Sequence, residues 1–241
     1  EYNWVSAAEF MDSLGIDIIS TSLGYISFDD SQMTHEYSDF DGETCVITRG
    51  AEIACSRGIL CVSAAGNEGD TDFPYVGAPG DGKNVLTVGG VKSDGERVYF
   101  SSIGPTYDGR IKPDVMSFAY AVTLASPGNN FYEGNGTSFA CPSLAGMTAC
   151  LWQALKTEPA SKIRSIIKES SNNYYTPNNE YGYGIPDFKV ALDMMNLEEC
   201  DIFEEKDLFS VSPNPSDGNV ELMLNYEGKT SIQVFDVLGK M

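Results

Sequence analysis

Short apolar segments alternate with amphipathic ones over the first half of the chain. Segments 16–21, 59–63 and 84–91 are mostly apolar and contain β-branched residues, as is typical of buried strands. Segments 4–14 and 45–57 carry apolar residues at helical spacing, and a glycine follows each, which favours a helix end. Strands that alternate with helices predict an α/β fold, a parallel sheet with helices on both faces.

The pattern predicts further elements downstream. Short extended segments are expected at 99–102, 115–118 and 121–125. Helices are expected at about 138–156, 159–169 and 187–196. The first of these helices contains the long apolar run Leu144 to Leu155, so we expect it to be buried.

The pattern changes near residue 196. Segment 197–208 is rich in Glu and Asp, which indicates an acidic linker. Within 209–241, alternating apolar residues and turn signals predict a small antiparallel β-sandwich-type module. We therefore expect two domains, 1–196 and 209–241, on either side of the linker.

The charge of the chain excludes one class of partner. Thirty-five acidic residues against 15 basic ones give a formal charge of −20, which argues against nucleic acid because phosphate binding needs basic patches.

The longest uncharged run, Gly134 to Leu155, contains too many polar residues for lipid, so we expect no membrane span.

The cysteines do not indicate a metal centre by their spacing. None of the six cysteines forms a C-x-x-C pair, and one histidine cannot complete a usual zinc site, so a zinc site is not expected. Disulfides remain open, because their pairing cannot be deduced from sequence.

Candidate chemistry begins at residues 134–142, where glycines and small residues precede the long apolar helix. A tight turn there delivers Ser138 to the first helical turn, near unpaired N–H groups and the positive end of the helix dipole. That position suits a nucleophile that must stabilise negative charge, and an ordinary N-cap serine is the alternative. Two other small-residue segments, 22–24 and 64–69, follow predicted strands, and functional residues gather at the carboxyl ends of parallel strands.

Residues 136–142 read G-T-S-F-A-C-P, which resembles the G-T-S-x-A-x-P nucleophile motif of the subtilisin-like serine proteases. Further segments resemble this family in the same chain order. They are S-L-G at 22–24, A-A-G-N-E-G at 64–69, F-S-S-I-G-P-T at 100–106 with D-G-R-I-K-P-D-V at 108–115, and Y-G-Y-G at 181–184. The resemblance covers about residues 4–196 and implies a subtilisin-like domain without its N-terminal part.

The resemblance implies a serine endopeptidase that hydrolyses peptide bonds. Ser138 is then the nucleophile, and its own N–H and the Asn67 side-chain amide hold the oxyanion. The implied substrate-binding residues form two walls of a cleft, Ser22, Leu23 and Gly24 on one side and Ala64, Ala65 and Gly66 on the other. No cofactor is required for this chemistry. Without the resemblance, Asn67 is interpreted as a turn residue.

The family triad runs Asp, His, Ser along the chain, and its Asp and His motifs precede the S-L-G segment. Here the only histidine, His35, follows that segment, where a plain loop histidine is the alternative to a convergent base. We interpret the chain as the C-terminal part of a catalytic domain that lacks the catalytic Asp and His and is inactive alone. The alternative is a non-catalytic protease homologue that binds peptides in the same cleft.

The loop between residues 29 and 43 is acidic and suggests a structural calcium ion, because hard cations prefer clustered oxygen ligands. It has no EF-hand spacing, and a solvated loop is the alternative. Which residues would bind a metal is unknown from sequence.

Residues 209–241 resemble the C-terminal sorting domain of the type IX secretion system, here truncated. The resemblance rests on P-N-P at 213–215, Gly218 and V-F-D-V-L-G-K at 234–240. It implies a secreted or cell-surface protein exported from a Gram-negative bacterium, with the secretion machinery as a partner besides polypeptide substrates. A generic β-sandwich appendage is the alternative. We expect a monomer.

Overall fold

The computed structural model describes residues 1–200, 209–212 and 221–224. Along the chain the helices and strands are α1 Tyr2–Ser13, β1 Ile18–Thr21, α2 Val46–Ser56, β2 Leu60–Ala64, β3 Leu86–Val91, β4 Val115–Phe118, β5 Val122–Ser126, β6 Asn130–Gly134, α3 Thr137–Ala154, α4 Ala160–Glu169, α5 Phe188–Cys200, β7 Phe209–Ser212 and β8 Glu221–Leu224. By internal contacts the chain divides into two compact units, Glu1–Met194 and Met195–Met241.

The first unit is built on a four-stranded parallel sheet with the order β1-β2-β3-β4. Ile18 lies opposite Leu60, and Val88 lies opposite Val115. Strands β2 and β3 are buried along their whole length, which explains why their sequences are continuous apolar runs rather than alternating ones. The predicted parallel sheet is confirmed.

Successive residues of β1 point to opposite faces of the sheet, as strand geometry requires. Ile19 packs into a buried cluster with Ala8 of α1 and Ala51 of α2. The next residue, Ser20, has its Oγ 3.5 Å from the Sγ of Cys141 on α3. Helix α3 contacts all four strands. Helices therefore cover both faces of the sheet, as predicted.

One prediction about local structure is wrong, and the structure adds detail to two others. Segment 99–102 is a turn and not an extended segment, because the buried Ser101 turns its Oγ back to accept a hydrogen bond from the N–H of Gly90 at 3.0 Å. Segment 121–125 is extended as β5, but it pairs antiparallel with β6, a strand that the sequence did not reveal. Helix α5 continues to Cys200, beyond its expected end at residue 196.

In the second unit, β7 and β8 pair antiparallel, with Phe209 opposite Leu224 and Ser212 opposite Glu221. The rest of the predicted β module, and most of the predicted linker, lie outside the described residues.

The described residues bear on two points raised by the sequence, the state of the cysteine thiols and the character of the helices. The thiols of Cys45, Cys55, Cys61, Cys141 and Cys150 are all free. Among the described helices, none combines the length and the apolar character that crossing a bilayer would require.

Replacing Gly182 with alanine is expected to destabilise the first unit far more than replacing Gly109. Both glycines have a positive φ, +57° and +86°, so either alanine costs about 1–2 kcal/mol of backbone strain. A Cβ on Gly182 would also collide with the main-chain oxygens of Pro113 and Asp114, whereas nothing lies within 4 Å of a Cβ on Gly109. Denaturant unfolding of the two variants tests this, and equal losses of unfolding free energy would contradict it.

Candidate active site

Ser138 lies in the first turn of α3, and the chain reaches it through Gly136, whose φ is +152°. Because the first N–H groups of a helix have no intrahelical acceptor, the N–H of Ser138 is available near the Oγ of the same residue. The positive end of the helix dipole adds to this local preference for negative charge. A tight turn into a helix start is therefore present where the sequence predicted it.

Ser138 and Ser22 are joined by reciprocal hydrogen bonds. Ser138 Oγ donates to the main-chain oxygen of Ser22 at 3.2 Å, and Ser22 Oγ donates to the main-chain oxygen of Ser138 at 2.9 Å. The second bond is available because Pro142, four residues along the helix, has no N–H to offer the Ser138 oxygen. The proline of the motif thus lets the loop after β1 attach to the start of α3.

Asn67 follows β2, and its side chain is oriented by α3. Its Oδ1 accepts from the N–H of Thr137 at 2.9 Å, which only the oxygen end of the amide can do. The Nδ2 end is left without an acceptor among the described residues and remains free to donate. Thr137 itself is fully buried and also donates from Oγ1 to the main-chain oxygen of Gly66 at 3.1 Å.

Gly66 needs to be glycine for two reasons. Its φ is +109°, and a Cβ there would press on the carboxylate of Glu68 and lie 2.7 Å from Ser102 Oγ. Ser102 Oγ in turn donates to Glu68 Oε2 at 3.0 Å and accepts from the Glu68 N–H at 3.1 Å. The absence of a side chain at Gly66 therefore leaves room for a fixed carboxylate beside Asn67.

These elements enclose a cleft of about 410 Å³. All eight residues predicted as catalytic or substrate-binding line it: Ser22, Leu23, Gly24, Ala64, Ala65, Gly66, Asn67 and Ser138. Sequence reasoning missed other lining residues, Ile26, Ser27, Glu68, Gly77 and Thr137. Glu68 and Thr137 could have been found, because both lie inside the matched motifs. The geometry brings the residues together, and their catalytic roles remain predictions.

A larger cavity, about 650 Å³, lies elsewhere, between the residues that begin β1 and the second half of α3. Its lining includes Asp17, Ile18 and Trp152 and none of the predicted site residues. Size alone would therefore have indicated the wrong site. The smaller cleft is the better candidate because a hydroxyl and an amide donor converge on it.

His35 is not among the residues that line the cleft. Its Nε2 lies 3.0 Å from Glu1 Oε1, and its Nδ1 lies 3.7 Å from Asp39 Oδ2. Ser138 Oγ accordingly meets a main-chain oxygen in the described residues and no imidazole. Among the described residues, the cleft thus holds a hydroxyl and an amide donor, and the hydroxyl bonds to a main-chain oxygen rather than to a base.

The acidic loop uses several of its carboxylates to hold its own turns. Asp30 accepts from the N–H of Gln32, and Asp41 accepts from the N–H groups of Glu43 and Thr44. Burial pulls the pKa of Asp41 upward, but these bonds outweigh it and leave the pKa below its usual value. The structural calcium ion expected in this loop remains a prediction.

Behind the cleft, a buried ion pair ties β3 to the start of β4. Lys112 Nζ donates to Asp114 Oδ2 at 2.6 Å, to Val85 O at 2.8 Å and to Thr87 Oγ1 at 2.9 Å. Burial lowers the pKa of Lys112. Burial also pulls the pKa of Asp114 upward, but Lys112 and Lys168 outweigh it and hold that pKa below its usual range. The motif residues K-P-D-V therefore have a structural role that the sequence analysis did not assign.

A parallel sheet covered by helices on both faces, with Ser138 at a helix start beside the Asn67 amide, makes the first unit an α/β domain. The Subtilase family, peptidase S8, matches residues 2–184, and the chain belongs to this family of serine proteases. It is similar to Subtilisin DY of Bacillus licheniformis, at 30% identity over 192 residues that cover 78% of this chain and 61% of that protein.

Other relatives agree. The serine protease AprX of Bacillus subtilis (strain 168) is 31% identical over 191 residues, which cover 70% of this chain and 41% of AprX. The chain thus spans less than two thirds of the length of these curated relatives.

Solved structures show the same fold. The prenylagaramide maturation protease PagA superposes with a TM-score of 0.62 at 23% identity, over 78% of this chain and 65% of PagA. The patellamide maturation protease PatA also gives 0.62 at 23% identity, over 80% of this chain and 67% of PatA. The subtilisin-like architecture predicted from sequence is confirmed.

Proposed function

We propose that this chain is the serine-bearing part of a serine endopeptidase, with Ser138 as nucleophile. The observation that carries the proposal is the convergence of Ser138 Oγ and the free amide end of Asn67 on one cleft. A carbonyl carbon attacked by Ser138 would place its developing negative charge against the Asn67 amide and the N–H of Ser138. These donors would stabilise the transition state more than the ground state, because the oxygen carries its negative charge only there.

The substrate is a polypeptide in extended form. Residues 22–24 follow β1 and would add the substrate as a further strand through main-chain hydrogen bonds. Ala64 to Gly66 would form the wall of the pocket for the side chain before the scissile bond, where their small size leaves space. The carboxylate of Glu68 lies in the same cleft.

Hydrolysis needs a base that the described residues do not supply at Ser138. We therefore expect the 241-residue chain to be inactive alone, and we expect activity from a longer protein that carries the Asp and His motifs upstream. The second candidate is a non-catalytic homologue that binds peptides. This candidate is favoured by the hydrogen bond that Ser138 Oγ donates to Ser22 O, because the hydroxyl then faces a main-chain oxygen rather than an imidazole.

Export is also part of the proposal. The formal charge of −20 suits a soluble secreted protein, and the motifs within 209–241 resemble a type IX sorting domain. On this proposal the secretion machinery recognises the C-terminal module and releases the protease part to the cell surface or the medium.

A fluorophosphonate probe separates the two candidate functions, because it reacts only with an activated serine. Labelling of the longer protein is expected, and the Ser138→Ala variant should lose it. Ser143→Ala is the matched control, since Ser143 is an exposed serine on the same helix and should not affect labelling. A longer protein that binds extended peptides but never reacts with the probe would be a binder and would refute the protease.

A further inference from the structure

Three side chains of metal-binding type meet at the start of α1, away from the residues of the candidate active site. Ligand atoms of Glu1, His35 and Cys45 all lie within 4.8 Å of one another, and no other such group occurs among the described residues. They come from three different parts of the fold: the residue before α1, the loop after β1, and the N-cap of α2. No spacing in the sequence indicates that they meet.

The imidazole of His35 lies between two carboxylates, one within hydrogen-bond distance and one beyond it. Nε2 faces Glu1 Oε1 at 3.0 Å, and Nδ1 faces Asp39 Oδ2 at 3.7 Å on the other side of the ring. Protein metal sites commonly place a carboxylate on the ring nitrogen that does not bind the metal, because it fixes the tautomer and the orientation. The rings of Phe28 and Phe40 flank His35 at centroid distances of 5.5 and 5.9 Å and confine it further.

Cys45 completes the group from the buried side. It is 1% exposed, and its thiol donates a hydrogen bond to the main-chain oxygen of Asp39 at 3.4 Å. A buried thiol therefore lies beside the carboxylate of Glu1 and the imidazole of His35, with all three ligand atoms within 4.8 Å of one another.

We propose that Glu1, His35 and Cys45 bind one zinc ion, with a water molecule as the fourth ligand. One sulfur, one nitrogen and one carboxylate oxygen suit zinc better than calcium or magnesium, which prefer oxygen ligands only. Tetrahedral zinc places its ligand atoms about 3.3–3.7 Å apart, so the present arrangement needs small side-chain movements. Binding converts the Cys45 thiol to a thiolate, and the proton is released to solvent.

The ion would fix one wall of the cleft. The main-chain N–H of His35 donates to the main-chain oxygen of Ile26 at 2.9 Å, and Ile26 lines the cleft that contains Ser138. A zinc ion that joins His35 to α1 and α2 therefore restricts the loop after β1, which contains Ile26 and the predicted substrate-binding residues 22–24. This differs from the oxygen-ligated calcium expected for the acidic loop, and it does not depend on catalysis.

The experiment adds Zn²⁺, and Co²⁺ as a coloured substitute, to the 241-residue chain freed of metal and kept reduced. We expect one zinc ion per chain, a thiolate-to-cobalt charge-transfer band, and a rise in Tm that a chelator reverses. Cys45→Ser should lose the band, and His35→Gln should weaken zinc affinity at least about tenfold. Cys150→Ser is the matched control, because Cys150 is an exposed thiol on α3, and it should behave like the parent chain.

Other results would overturn the site. They are the absence of stoichiometric zinc binding, a cobalt band that survives in Cys45→Ser, or a band that disappears in Cys150→Ser. If circular dichroism shows that Cys45→Ser is unfolded, the folded His35→Gln variant decides instead, and an unchanged zinc affinity there refutes the proposal.

Discussion

Replacing Ser138 with alanine is expected to lower kcat for peptide hydrolysis by about 10⁶-fold in the longer protein, the size of loss that subtilisin itself shows for its nucleophile. The physical reason is that no acyl intermediate can form without the Oγ. The fold should survive, because Ser138 Oγ makes one hydrogen bond at 3.2 Å to Ser22 O and the Ser22 bond to the Ser138 oxygen remains. Steady-state kinetics with an extended peptide substrate measures the effect.

A substitution at Asn67 is expected to lower kcat less than Ser138→Ala does. Asn67→Asp keeps an oxygen for the N–H of Thr137, now 2.9 Å away, but replaces the free amide with a negative oxygen. Loss of one oxyanion donor costs about 10²- to 10³-fold in kcat, again as found in subtilisin, with little change in KM because the charge develops only in the transition state. If Ser138→Ala retained hydrolysis within about tenfold of the parent, the nucleophile would be another residue.

Most residues of the candidate site could be predicted because they lie at or just after the ends of strands. Ser22 follows β1, Ala64 ends β2 and Asn67 lies three residues beyond it, and parallel strands bring their carboxyl ends to one edge of the sheet. Ser138 lies beside Asn67 although 70 positions separate Thr137 from Asn67. The order of the motifs could be used to predict this proximity, because each motif either follows a predicted strand or begins a predicted helix.

What could not be predicted depends on contacts without a local pattern. β6 is exposed along most of its length, so its sequence has no apolar alternation, and its pairing with β5 decides its structure. Segment 99–102 has the aromatic residues of a strand, yet a side-chain bond from the Gly90 N–H to Ser101 Oγ holds it as a turn. Glu1 and Cys45 are brought together at the starts of α1 and α2, which pack against each other, and His35 reaches them from the loop after β1.

Replacing Lys112 with methionine is expected to destabilise the first unit by about 3–5 kcal/mol, because it leaves the buried Asp114 carboxylate without its main partner. Lys112 is 2% exposed and Asp114 is 5% exposed. Lys168 lies 3.6 Å from Asp114 Oδ1 and can compensate only in part. Val85 O also loses a donor inside the core. Urea unfolding at neutral pH, with the m-value checked for constancy, measures the loss.

The same pair should set part of the acid limit of stability. Lys112 and Lys168 hold the pKa of Asp114 below its usual value despite burial, so the folded state binds this proton less readily than the unfolded state does. The stabilisation is therefore complete above the unfolded carboxyl pKa of about 4 and disappears as the pH falls through the lower folded value. The difference in unfolding free energy between the parent and Asp114→Asn should shrink below about pH 4.

The Lys189–Asp193 pair is the control that separates the effect of burial on stability from the effect of the pairing distance. Lys189 Nζ lies 2.6 Å from Asp193 Oδ2, the same separation as in the Lys112–Asp114 pair, but the Lys189 side chain is 80% exposed. Water and salt screen that exposed pair, so Lys189→Met should leave the unfolding free energy unchanged within error. Equal losses for the two methionine variants would mean that pairing distance, and not the uncompensated buried charge, determines the stability. The double variant Lys112→Met/Asp114→Leu should recover part of the loss, because it removes the buried carboxylate together with its partner but leaves the Thr87 N–H and Val85 O without theirs.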